Sequence, residues 1–92
     1  MRFTLRQLQV FVAVARQESV SRAAQTLSLS QSATSTSLTE LERHADCQLF
    51  DRLGKRLSLN ALGRQLLPQA VALLDQAKAI EDLLNGNSGS AP

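Results

Sequence analysis

Apolar residues recur at helical spacing along the N-terminal part of the chain. A first helix is predicted over residues 4–17, with Thr4 as its N-cap. Its inner face comprises Leu5, Leu8, Phe11, Val12 and Ala15. A short second helix is expected after Ser19, with Val20, Ala23, Ala24 and Leu27 as its inner stripe. Small residues at the contact let two helices approach closely, so the pattern favours a helix-turn-helix.

A third helix is predicted from about Gln31 to Ala45, with Ser30 as its cap. Its inner side comprises Thr34, Leu38, Leu41 and Ala45. Six of its first nine residues carry hydroxyls, which costs roughly 3 kcal/mol of helix propensity relative to Ala. Burying each leucine returns about 2 kcal/mol, so the helix forms where packing covers its inner side.

The opposite side of this helix collects short polar groups. Ser32, Ser35, Thr36, Thr39 and Arg43 share it at helical offsets. Short hydroxyl side chains let a helix backbone approach a DNA groove and hydrogen-bond base edges and phosphates. Gln31 can bond adenine with two hydrogen bonds, and the free N–H groups of the helix N-terminus favour phosphate. The alternative is a serine- and threonine-rich loop without a role.

A basic hairpin is predicted next. Leu53, Leu57 and Leu59 alternate around Gly54 and Lys55, which suggests two short strands over about residues 51–58 with Gly54 at positive φ. Arg52, Lys55 and Arg56 cluster at its tip. Such a wing can hold phosphates or enter the minor groove, and the alternative is an ordinary solvated turn.

A long last helix is predicted from Asn60 to about Leu84, and Pro68 is expected to bend it. Its heptad seam comprises Leu66, Ala70, Leu73, Ala77, Ile80 and Leu84. A second copy of the chain is the expected partner of this seam, and packing on the first helix is the alternative. The predicted units are a winged helix-turn-helix over 1–59, a dimerisation helix over 60–85 and a flexible hinge over 86–92.

Composition and charge agree with a mostly α-helical, DNA-contacting domain. Seventeen Leu and twelve Ala dominate the 92 residues. Residues 1–64 carry nine Arg or Lys against five Asp or Glu, while residues 65–92 carry one against three. That asymmetry fits a nucleic-acid surface, although a solvated surface would also produce it. A lone Cys47, no apolar span and a charged N-terminus indicate a cytoplasmic chain without a membrane segment.

Catalysis and metal binding are not expected. His44 and Cys47 lie three residues apart, but two ligands do not make a metal site. We expect His44 to stabilise the end of the third helix and Cys47 to pack as a small hydrophobe. The rivals are a protein-interaction module that never touches nucleic acid and a winged-helix regulator with its own ligand pocket. The first leaves the hydroxyl side unexplained, and the second needs a pocket that no motif here encloses.

Several stretches together resemble the N-terminal domain of LysR-type transcriptional regulators. They are Leu5-Arg6-Gln7-Leu8 with Phe11, Ser19-Val20-Ser21-Arg22-Ala23-Ala24, Ser30-Gln31-Ser32-Ala33 with Leu41-Glu42, Leu49-Phe50-Asp51-Arg52, and Leu59-Asn60 with Gly63. The resemblance implies dimers, or tetramers of the full-length protein, on interrupted inverted repeats of double-stranded DNA. It also implies a small-molecule effector held by a separate C-terminal domain, no cofactor in this chain, and a place in the cytoplasm at the nucleoid.

The resemblance also assigns contact residues. Positions matching base contacts are Gln31, Ser32, Ser35 and Thr36. The expected backbone contacts combine the matching Ser21, Arg22 and Arg52 with the polar residues identified above, Ser30, Thr39, Arg43, Lys55 and Arg56. Two departures stand out: Thr34 replaces a usual aliphatic residue, which is expected to loosen packing slightly, and Thr36 replaces a frequent Arg or Gln. The second leaves the preferred bases open.

Overall fold

The computed structural model describes the backbone of residues 2–89 and the side chains of residues 2–86. The described residues form four helices and one antiparallel pair of strands, which confirms the predicted winged helix-turn-helix with a long last helix. The elements are α1 (Leu5–Gln17), α2 (Val20–Leu27), α3 (Gln31–Ala45), β1 (Phe50–Leu53), β2 (Arg56–Leu59) and α4 (Ala61–Gly89).

Each helix begins at a polar side chain that satisfies a free backbone N–H. The predicted caps Thr4 and Ser30 are confirmed, and Ser19 and Asn60, the predicted starting points of the second and last helices, are caps as well. Thr4 accepts from Gln7, Ser19 from Arg22, Ser30 from Ala33 and Asn60 from Gly63, at 2.9–3.1 Å. At the start of α1 the bond is reciprocal, because the Thr4 N–H donates to the Gln7 side chain at 3.2 Å. That bond explains why polar Gln7 is only 8% exposed.

The first three helices each end on a left-handed residue that is not glycine. Glu18, Ser28 and Asp46 have φ values of 57°, 56° and 54°. An L-residue costs about 1–2 kcal/mol in this conformation. Backbone hydrogen bonds stabilise each of these residues in the left-handed conformation. The Glu18 N–H, for example, donates to the Val14 carbonyl at 2.7 Å. These caps turn the chain sharply, so α1, α2 and α3 follow one another with very short connections.

Helix α1 lies at the centre of the core and contacts α2, α3, α4 and β2. Leu8, Phe11 and Val12 are buried as predicted, but Val10 and Val14 are buried too. Neighbours on several sides cover more of α1 than the single predicted face. The prediction for Leu5 is wrong, since it is 45% exposed in the first turn, beside the exposed half of α4.

The hairpin is held to the core by its first and last residues. Phe50 pairs with Leu59 across the sheet, and its ring lies 5.5 Å from that of Phe11. Gly54 takes φ 63° in the turn, as predicted. The predicted pair of short strands is confirmed, with Leu57 buried and Leu53 61% exposed. The register pairs Leu53 with Arg56, on the face opposite to Phe50 and Leu57.

Helix α4 packs its first half on the body and extends its second half beyond it. Ala70 is 1% exposed within its own chain, and Leu66 packs against the same core. The prediction that Ala70 lies in a dimer interface is therefore wrong. An α-helix drifts by about 20° per heptad relative to a strict seven-residue repeat, so the early and late members of the seam face different surroundings.

The predicted end of α4 near Leu84 is also wrong, because the helix continues through Pro68 and on to Gly89. Gly86 lies in the predicted hinge, and a glycine in a helix costs only about 1 kcal/mol of helix propensity relative to Ala. The helix formed by the preceding turns can therefore continue through it. The rest of that hinge, residues 90–92, lies outside the described residues.

The junction between the hairpin and α4 requires a glycine at position 63. A Cβ there would lie inside contact distance of the Leu49 carbonyl oxygen and 2.8 Å from the Leu59 side chain. We expect Gly63→Ala to lower the free energy of unfolding by about 3 kcal/mol, because backbone cannot move aside as a flexible side chain can.

Gly86→Ala is the matched control, since a Cβ at Gly86 meets nothing within 4 Å. It is expected to stabilise the helix by up to about 1 kcal/mol. Urea unfolding followed by circular dichroism measures both variants. Equal stability of Gly63→Ala and the wild type would contradict the close approach.

Candidate nucleic-acid interface

The two sides of α3 differ as the sequence predicts. Thr34, Leu38 and Leu41 are buried, with exposures of 0%, 6% and 5%. The outer face of α3, defined as Ser32, Ser35, Thr36, Thr39 and Arg43, is exposed throughout. Ala45 is exposed as well, so its predicted inward position is wrong. It is the last residue of the helix, next to the left-handed Asp46 that turns the chain away.

The buried Thr34 is fully satisfied by its own helix. Its hydroxyl donates to the Ser30 carbonyl at 2.9 Å, and its backbone N–H donates to the same oxygen at 3.0 Å. The departure from an aliphatic residue therefore leaves no buried polar atom unpaired.

The first turns of α2 and α3 present the remaining predicted contacts. Gln31 is exposed directly after the cap residue Ser30, where backbone N–H groups of the helix start point outward. Ser21 and Arg22 are exposed in the first turn of α2. A helix start carries a partial positive charge, so both turns favour phosphate oxygens.

A groove separates the outer face of α3 from the hairpin. It has a volume of about 180 Å³, and Ser35 and Thr39 line it on one side and Arg52 on the other. A second recess of about 250 Å³ runs along α3 itself between Thr36 and Arg43. The structure thus joins the predicted α3 residues and Arg52 into one continuous surface.

Lys55 and Arg56 lie elsewhere on the hairpin. They line a recess of about 340 Å³ together with Arg22 and Glu18, at the corner between α1 and α2. The predicted cluster of three basic residues at the tip is therefore divided: Arg52 faces α3, and the other two face the α1–α2 corner. The alternation of side chains along a strand separates them, because Arg52 pairs with Leu57 and not with Arg56.

Sequence reasoning missed the hydrogen bonds by which Glu42 and Asn60 fix the hairpin beside α3. The Glu42 carboxylate accepts the Leu49 N–H at 2.8 Å. The Asn60 side chain donates to the Gln48 carbonyl at 2.7 Å, and the Asn60 N–H donates to the Leu49 carbonyl at 3.0 Å. Local sequence patterns do not predict these hydrogen bonds, because they join residues seven to twelve positions apart.

The outer face of α3 also has an acidic neighbour that the sequence analysis passed over. Glu40 lines the recess along α3 and is exposed. Its spacing from Thr36, one helical turn, would have identified it. A carboxylate here repels phosphate but accepts a hydrogen bond from the cytosine amino group.

His44 and Cys47 do not form a site with other residues. His44 is exposed in the last turn of α3, and Cys47 is exposed, so its predicted packing as a small hydrophobe is wrong. Cys47 follows the left-handed cap at Asp46, where the chain runs over the surface. Across residues 2–89, no three His, Cys, Asp or Glu side chains are grouped to hold a metal ion. The helices of this same stretch include none with the length and apolarity to cross a membrane.

The arrangement of α2, α3 and a basic hairpin matches a known family of regulators. Residues 5–64 match the model for bacterial regulatory helix-turn-helix proteins of the lysR family. The chain belongs to the LysR family. Its fold is the winged helix-turn-helix of the DNA-binding domains of LysR-type regulators.

Individual relatives of this LysR domain agree with the match. The uncharacterised regulator YeiE of Escherichia coli is 51% identical over 90 residues, covering 98% of the chain and 31% of that protein. The H2O2-bound C206S mutant of Corynebacterium glutamicum OxyR is 35% identical with a TM-score of 0.92, covering 97% of the chain and 28% of OxyR. The chain thus spans about a third of the curated relatives it matches.

Solved structures similar to this LysR domain include complexes with DNA. The DNA-binding domain of CbnR, crystallised with DNA, is 28% identical with a TM-score of 0.82. The similarity covers 94% of the chain and 99% of that domain.

We expect Glu42→Ala to lower the free energy of unfolding by about 1–3 kcal/mol, because it leaves the N–H of nearly fully buried Leu49 without its acceptor. Glu42→Gln keeps an acceptor oxygen and should lose less. Glu40→Ala is the matched control, since exposed Glu40 makes no side-chain hydrogen bond with the described residues. Chemical denaturation compares the three, and equal losses at both positions would contradict the anchoring role of Glu42.

Proposed function

We propose that this domain binds double-stranded DNA sequence-specifically as a dimer, as the DNA-binding part of a LysR-type transcription regulator. The observation that carries the proposal is the exposed outer face of α3 beside a groove whose far side is a basic hairpin. The complex of the CbnR domain with DNA supports it, since the two folds superpose over nearly their whole length.

The proposed base contacts are made by the first half of α3 in the major groove. Gln31, Ser32, Ser35 and Thr36 are exposed on its first two turns. Short hydroxyls bring the helix close to the base edges, and the Gln31 amide can bond adenine through two hydrogen bonds. Thr36 offers a methyl group to thymine as well as a hydroxyl.

The proposed backbone contacts surround this helix and carry most of the affinity. They come from α2, the start and end of α3, and the hairpin: Ser21, Arg22, Ser30, Thr39, Arg43, Arg52, Lys55 and Arg56. All eight are exposed. Arg52 is placed to follow the groove beside α3, whereas Arg56 already has a partner in Glu18, so any phosphate must compete for it.

The proposed dimer forms along the exposed apolar stripe of α4. Large hydrophobic residues exposed among the described residues concentrate there: Leu62, Leu73, Ile80, Leu83 and Leu84. Of the predicted seam, Leu73, Ile80 and Leu84 keep this role, Ala77 and Leu66 lie half-buried at its edge, and Ala70 is removed. A contiguous apolar patch of this kind marks an interface with another molecule.

Two-fold symmetry of that dimer matches an interrupted inverted repeat in the DNA. The two α3 helices would enter major grooves about one turn, ~34 Å, apart. We propose further that the full-length regulator forms dimers or tetramers, acts in the cytoplasm at the nucleoid, and responds to a small molecule bound by a separate domain.

Binding to duplex DNA should weaken steeply as salt rises, with a slope of about −0.9 in log–log form for each phosphate neutralised. Arg52→Ala is expected to weaken binding to all duplexes alike, whereas Gln31→Ala should change the ranking of sites selected from random DNA. Fluorescence anisotropy and site selection measure the two effects. Affinity that ignores salt would favour a protein-interaction module, and an unchanged site ranking would remove Gln31 from the base contacts.

Sedimentation should find the wild-type domain dimeric at micromolar concentrations. Ile80→Glu is expected to weaken association at least about tenfold, because two-fold symmetry places the buried charge in the interface twice. Leu53→Glu is the control, since Leu53 is equally exposed but lies on the hairpin, away from α4. A wild-type monomer at high micromolar concentration, or an Ile80→Glu dimer as stable as the wild type, would contradict the interface.

A further inference from the structure

The corner between α1 and α2 is bonded to the hairpin through one residue. The Glu18 carbonyl accepts the Leu57 N–H at 3.1 Å, which ties β2 to the body. The Glu18 carboxylate also meets the Arg56 guanidinium: Nη2 lies 3.1 Å from Oε1 and 3.4 Å from Oε2. The backbone bond positions the strand by itself, so the ion pair has a separate effect on charge.

Glu18 stands among three cations that are proposed to contact the DNA backbone. Arg22, Lys55 and Arg56 line the same recess around it. Asp51, the acid of the hairpin itself, pairs across the sheet with Ser58 and makes no ion pair with the described residues. Of Glu18 and Asp51, only Glu18 therefore forms an ion pair with a residue proposed to contact phosphate.

The Glu18–Arg56 pair is weak enough to be in competition with DNA. Its side chains are 68% exposed at Arg56 and 42% exposed at Glu18, and exposed ion pairs contribute little to stability. A single arginine–phosphate contact is also modest at physiological salt, because its gain comes from one released counterion. Glu18 and a DNA phosphate therefore compete for Arg56 on similar terms, and Glu18 cancels much of the DNA affinity that Arg56 would add.

We propose that Glu18 sets the DNA affinity of this domain and its salt dependence by withholding Arg56 from the DNA backbone, an inference that rests on the proposed DNA binding. A phosphate contact raises affinity for every sequence equally and carries no base information. Restraining one such contact lowers the affinity for every duplex alike and leaves the ranking of sites to the base contacts of α3. Glu18 is thus a positioning residue that acts through Arg56.

The test is a double-mutant cycle on the complete chain, with a short random-sequence duplex and anisotropy from about 50 to about 200 mM salt. Glu18→Gln should raise the affinity and steepen the log–log salt slope by about 0.9, one additional phosphate. Over that range the affinity ratio of variant to wild type should change about threefold. The double variant Arg56→Ala with Glu18→Gln should have a salt slope within about 0.3 of that of Arg56→Ala alone.

Asp51→Asn is the matched control, because it removes a hairpin carboxylate that pairs with no cation, and its slope should follow the wild type. Retained protection of the Leu57 amide from hydrogen exchange shows that the hairpin stays anchored in Glu18→Gln. The inference is overturned if Glu18→Gln keeps the wild-type slope, if its effect persists without Arg56, or if Asp51→Asn matches it. Wild-type protein without salt-dependent duplex binding would overturn the proposed function itself.

Discussion

The polar outer face of α3 depends on the burial of its opposite side. The sequence of this helix is a poor helix former, and its hydroxyls would favour other conformations in isolation. Leu38 and Leu41 hold it in place by packing against a core whose centre is α1. A substitution that weakens this packing destabilises α3 even when every side chain of its outer face is unchanged. The affinity of the domain is therefore coupled to the stability of its core.

Much of this arrangement could be predicted from local patterns. Thr4, Ser19, Ser30 and Asn60 cap the four helices as the sequence suggests, because a cap acts only on backbone within three residues. The outer face of α3 was predictable for a similar reason, since helical periodicity alone separates Ser32 and Ser35 from Leu38. The turn at Gly54 follows from local conformational preference.

The errors arise where distant elements decide the environment of a residue. Periodicity shows that α4 has an apolar stripe, but only the position of α1 shows that Ala70 belongs to the core and Leu73 to the surface. In the same way, Glu18 and Arg56 are 38 positions apart in the sequence, and the Glu42 bond to Leu49 crosses from a helix to a loop. Such pairs need the tertiary structure, because neither partner has a local signature.

The close junction at Gly63 has a mechanical consequence. Asn60 bonds to Gln48 and Leu49, which precede β1, and accepts the Gly63 N–H of α4. The missing side chain of Gly63 lets α4 start directly against the Leu49 backbone. Short backbone contacts therefore couple the hairpin directly to the first turns of α4. In the proposed dimer, a rotation of the two α4 helices against each other would displace each hairpin directly, and the proposed DNA contacts of the hairpin would shift without refolding of the domain.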